Sequence, residues 1–97
     1  MVSFGILARM EAKPGKEDEV AKFLEGALPL VEDESGTVTW YAFRISQSEF
    51  AIFDTFEDDS GRQAHLSGKV AEALMANASE LLASPPDIKP VDLLASK

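Results

Sequence analysis

Cysteine is missing from this 97-residue chain, and histidine occurs once. The first absence excludes disulfides, thiolate nucleophiles, Cys-ligated zinc and iron–sulfur clusters; the second excludes a multi-histidine metal site within one chain. Basic residues are scarce: nine Lys and Arg stand against 17 Asp and Glu, a net charge of −8 spread as −4 over residues 1–36, −3 over 37–58 and −1 over 59–97. No segment is basic, so the field repels a phosphate backbone or an anionic lipid surface, and neither nucleic acid nor membrane is an expected partner. No apolar run approaches the ~18–20 residues of a membrane span, and Met1–Ala12 lacks the basic start and cleavage-type end of a signal peptide; a cytoplasmic location is the expectation. There is no G-x-G-x-x-G, P-loop or H-E-x-x-H motif and no G-x-S-x-G elbow, so nucleotide cofactors, zinc hydrolysis and that serine nucleophile have no support.

What is present is ordinary for a globular chain, with 45% apolar residues. The length implies one domain over 1–97 with a radius near ~13 Å and a modest core that self-association would extend. Val2, Phe4, Ile6, Ala8 and Met10 alternate with Ser3, Gly5, Leu7, Arg9 and Glu11, predicting a strand over roughly 2–12. After Lys13-Pro14-Gly15-Lys16, the residues Val20, Phe23, Leu24, Ala27, Leu28 and Val31 fall on one helix face and predict a helix over 16–33, kinked or cut short at Pro29. Thr37 to Ile45 is rich in β-branched and aromatic residues and Phe50 to Phe56 is similar, giving a hairpin across Ser46-Gln47-Ser48-Glu49. Asp58, Asp59 and Ser60 offer caps for a short helix to Leu66; a second helix with Val70, Ala73, Leu74, Ala78 and Leu81 on one face runs to about Ala83. Asp87 to Ala95 reads as a last strand, which Pro90 suits to an edge.

The order β-α-β-β-α-α-β is that of an α+β, ferredoxin-like domain, a four-stranded antiparallel sheet with helices on one face. In the hairpin, Val38, Trp40 and Ala42 alternate with Tyr41, Phe43 and Ile45, while Phe50, Ile52 and Phe56 alternate with Ala51 and Phe53. Both faces are therefore apolar, and one must be covered by something other than the helices. A second copy of the chain related by a two-fold axis does this most economically, so a homodimer is expected.

Several stretches resemble a known family. Ala8 to Glu19 is similar to the opening of the antibiotic biosynthesis monooxygenase (ABM) domain, the dimeric α/β-barrel group that includes small quinol monooxygenases. Glu34-Ser35-Gly36-Thr37 resembles the family's lead into strand two, and Phe50 to Asp58 resembles its third strand. His65-Leu66, eleven residues after Asp54, falls where that family places its His-Leu. The chain departs from the pattern with Trp40 for the usual Tyr, Asp54 for Glu, Phe56 for Trp and Val70 for a second His. The related haem-degrading branch has an axial His where Met75 stands here and an Asn in strand one, so haem ligation is not expected.

The resemblance implies a cofactor-independent monooxygenase acting on a small aromatic or quinol-type substrate, or a non-catalytic dimeric ligand-binding or structural module of the same fold. Such oxygenation needs a base, a polar group to hold the anion and an apolar slot for the ring. His65 is the natural proton acceptor, since its side chain titrates nearest neutrality; the competing reading is a histidine that bridges helix and sheet, with Asp54 as its partner. Tyr41 or Arg44 would hold the anion, and Trp40, Phe53 and Phe56 would form the slot. Strand register decides whether Trp40 or Tyr41 faces the helices. Asp54, a carboxylate in an apolar strand, needs a partner among His65, Tyr41, Trp40 and Arg44. A lone cation such as Arg44 more often serves as a surface or dimer-rim ion-pair residue, and Glu34 reads equally as a loop acid.

Overall fold

The computed structural model describes residues 2–97. Its elements are β1 (Phe4–Glu11), α1 (Glu17–Glu32), β2 (Thr37–Arg44), β3 (Glu49–Phe56), α2 (Asp59–Leu66), α3 (Lys69–Leu81) and β4 (Asp87–Asp92). The strands form one antiparallel sheet in the order β2-β3-β1-β4, the ferredoxin-like arrangement that the element order implies. Pro90 sits in β4 at a sheet edge, where its missing N–H removes no bond between central strands.

Helix α1 passes through Pro29 without a break and ends at Glu32, later than a proline-terminated helix would. Pro29 and Glu25 are both exposed, so the Glu25 carbonyl that loses its helical donor faces water, and the cost is small. Helix α3 stops at Leu81 rather than Ala83 because Leu82 turns extended and bridges to Ala12. The last strand ends at Asp92, short of Ala95.

Register fixes which side chains meet the helices. Ile6 pairs with Asp54, Asp54 with Trp40, and the same row continues to Pro90. With Ala8, Met10, Phe50, Ile52 and Phe56, these residues face the helical layer. The buried core joins Ala8, Met10, Phe50 and Ile52 to Val20 and Leu24 of α1 and Leu74 and Leu81 of α3. A smaller cluster of Ala27, Val31 and Val70 abuts it, and Trp40 touches both.

The opposite face carries Leu7, Thr39, Tyr41, Phe43, Phe53 and Val91. Among the described residues no element covers it: Tyr41 is 58% and Phe43 43% exposed. One irregularity breaks the alternation. Between Thr37 and Thr39 the β2–β3 register shifts, so Thr37 opposes Phe56 while Thr39 opposes Thr55. The extra residue, Val38, turns Thr37 to the helix side although Thr39 stays on the open side.

Candidate functional site

His65 is the one buried residue of α2. Asp58 caps this helix by accepting from the Gly61 amide, and the resulting turn directs His65 at the sheet. Its ring stands between two carboxylates. Nδ1 lies 2.5 Å from Glu34 Oε1, on the loop before β2, and Nε2 lies 2.8 Å from Asp54 Oδ2 in β3. The Phe56 ring packs at 5.5 Å between centroids. The Asp54 contact is a charge contact off the line of an aligned hydrogen bond, and Asp54 is only 1% exposed.

A ring nitrogen facing a carboxylate favours N–H, so two such contacts favour the imidazolium. Burial pulls the His65 pKa down, but the contacts with Asp54 and then Glu34 outweigh it and raise the value from 6.5 to about 9. At neutral pH the group is a cation between two anions. Thr37, turned inward by the bulge, donates from Oγ1 to the same Glu34 oxygen at 2.7 Å. Gly36 and Gly61 let the Glu34 loop and α2 close together, since a Cβ on Gly61 would stand 2.9 Å from the Gly36 carbonyl oxygen.

Among the described residues, the buried side-chain polar atoms without an aligned hydrogen bond are Glu34 Oε2, Trp40 Nε1 and both Asp54 oxygens, of which Oδ2 has the charge contact with His65 Nε2. All belong to residues that touch His65 or lie one strand away from such a residue. Buried polar groups are ordinarily satisfied, and a concentration of exceptions at one place marks a site of strain or of ligand and water binding. A cleft of about 410 Å³ reaches it, lined by Leu30, Glu34, Gly36, Ala64, His65 and Gly68 among others.

The structure brings His65, Asp54 and Phe56 together and sets Trp40 across from Asp54 on the same face. It divides the slot that the sequence suggests, leaving Trp40 and Phe56 on the helix-facing side and Phe53 on the other. Phe53 points to the open face, where its Cε1 would lie 3.4 Å from a Cβ on Gly5, while Phe56 is wholly buried. Register also answers the Trp40–Tyr41 alternative: Trp40 faces the helices and Tyr41 the open side. Arg44 lies over the Phe50 ring at 4.7 Å, and with Trp40, Tyr41 and Phe43 it borders a second cleft of about 600 Å³ against α1 that does not include His65. Glu34 is a functional candidate that sequence alone does not distinguish from a loop acid; its place before Gly36-Thr37 is the available signal.

No family model matches the chain, and no curated protein matches it. Among solved structures, NE2512 from Nitrosomonas europaea, a protein of unknown function, shares 54% identity over 100% of this chain and 94% of its own, with a TM-score of 0.97. Rv0793 from Mycobacterium tuberculosis shares 16% identity over 97% of both chains with a TM-score of 0.84. A structure named antibiotic biosynthesis monooxygenase shares 13% identity over 95% of this chain and 99% of its own with a TM-score of 0.81. The two distant likenesses establish a shared fold, and the near one establishes descent: this chain belongs to the family of Nitrosomonas europaea NE2512.

Proposed function

We propose that the chain is a homodimeric, cofactor-independent monooxygenase of the ABM type that acts on a small aromatic or quinol-type molecule. The observation that carries this reading is the gathering of unpartnered buried polar atoms around a doubly contacted histidine beside a cleft. A domain of this size has little stability to spend on such a group, and perturbed titratable clusters in clefts are candidates for chemistry.

In this scheme the substrate hydroxyl enters the cleft and meets Glu34 Oε2, a buried acceptor of the lining that has no partner. The His65 cation lowers the cost of the ring anion that forms when the hydroxyl proton passes to Glu34 Oε2. That electron-rich anion reduces dioxygen directly. For an anthrone, one oxygen atom becomes the new carbonyl, and the other leaves as water with the two hydrogens of the reacting carbon. His65 thus serves at neutral pH as a fixed positive charge rather than as the free base the sequence suggests. The dimer forms through the uncovered sheet face, whose Leu7, Tyr41, Phe43, Phe53 and Val91 form an apolar surface suited to a two-fold mate.

A second reading has its own support. Both His65 nitrogens are engaged within the chain, which also suits a non-catalytic ligand-binding or structural module. Oxygen uptake with a panel of hydroquinones and anthrones separates the two. The oxygenase reading expects consumption above the buffer rate in wild type and a loss of at least about a hundredfold in His65→Ala, the lower range for such a group. Absence of turnover, or equal rates in both proteins, rejects it.

A further inference from the structure

The two oxygens of Glu34 have unequal surroundings. Oε1 is filled by Thr37 Oγ1 at 2.7 Å and His65 Nδ1 at 2.5 Å. Oε2 is buried and without a partner, a costly state for a carboxylate oxygen. It lies against Gly68, where a Cβ would come within 3.0 Å of it, so any side chain at that position would crowd this oxygen. Glu34, His65 and Gly68 line the same cleft.

Charge at the inner wall has a definite sign. The His65 cation between two carboxylates leaves the trio at net −1, and the other charged lining residues, Asp33 and Lys69, oppose one another. We infer that Glu34 is the specificity-determining residue of this cleft, its Oε2 admitting a head group that donates a hydrogen bond and bears no negative charge, such as a neutral hydroxyl. This rests on the ligand site proposed above. A hydroxyl satisfies Oε2 with a charge-assisted bond. An ether leaves the buried acceptor unpaired, and a carboxylate sets a second anion beside it. Sites built around a buried polar group reject analogues that cannot pair with it far better than apolar pockets reject a change of size.

The test uses three probes with one ring system: 2-naphthol, 2-methoxynaphthalene and 2-naphthoate. Each is titrated into the full chain at neutral pH while the ring signals of His65, the only histidine, are followed by NMR. The expected result is that 2-naphthol moves these signals and binds at least about tenfold more tightly than the other two. Glu34→Gln removes the charged acceptor, and Gly68→Ala sets a methyl group against it; either should reduce the preference to under about threefold. Retention of the imidazolium form in Gly68→Ala checks that the charged trio survives that change. If 2-naphthoate or the ether binds as tightly as 2-naphthol while shifting His65, the selectivity is overturned and the ligand site stands. A preference that persists in both variants also overturns it. If none of the probes moves His65, the selectivity and the proposed ligand site fall together.

Discussion

Asp54 and His65 come from different layers of the domain, yet Oδ2 of one stands 2.8 Å from Nε2 of the other with almost no exposure to solvent. Removing one member of a buried charge pair leaves the other uncompensated, which costs about 3–5 kcal/mol. Asp54→Ala is therefore expected to lose stability of that order in urea unfolding. Asp54→Leu combined with His65→Leu and Glu34→Leu should recover most of it, since apolar replacement of a whole buried charge cluster is often neutral. A triple variant no more stable than Asp54→Ala would count against the pairing.

Stability should fall with rising pH on the alkaline side. The folded pKa of His65, about 9, lies above its ordinary 6.5, so its contribution is complete below the lower value and is lost as pH rises through the higher. The size is roughly 3 kcal/mol between those limits. Urea unfolding at pH 6 and pH 9.5 measures it, and a His65→Leu protein should lack this slope. The NMR titration of the single histidine gives the pKa directly; a midpoint near 6.5 would refute the charged trio.

The uncovered sheet face predicts association. Wild type should sediment as a dimer, and Tyr41→Asp with Phe43→Asp should yield monomers, because both side chains lie exposed on that face. A wild-type protein that sediments at the 10.5 kDa of one chain would dismiss the proposed dimer.

Gly61→Ala is expected to cost about 1–3 kcal/mol, the usual range for overpacking, because its Cβ would press the Gly36 carbonyl oxygen at 2.9 Å. The displaced loop carries Glu34, so the His65 pKa should also fall. Thermal unfolding and the histidine titration together read this; unchanged values in both would mean that the loop yields freely.

Much of the architecture was legible because each element has a period of its own. The alternation in β1 and the helical face of Val20, Leu24, Ala27 and Val31 follow from local geometry, and all four of those α1 residues are buried. Asp54 stood out because a carboxylate among Phe50, Ile52 and Phe56 demands a partner. The parts that stayed closed depend on register and on contacts distant in sequence. Trp40 and Tyr41 exchange faces on a one-residue slip, and Phe53 can be grouped with Trp40 only while the relative parity of the two strands is undetermined. Glu34 gave no sign of its partner, since His65 lies thirty-one residues away and meets it only after α2 folds back over the sheet.

Val38 has a role that its own side chain does not reveal. As the surplus residue in the β2–β3 ladder, it acts as a spacer that sets which way Thr37 looks, and so whether Glu34 is steadied at all. Exchanging it for another β-branched residue would leave that orientation alone. Were Val38 itself to pair opposite Phe56, as in an unbulged strand, Thr37 would rotate outward and loosen the acid from the imidazolium, without altering any atom of either.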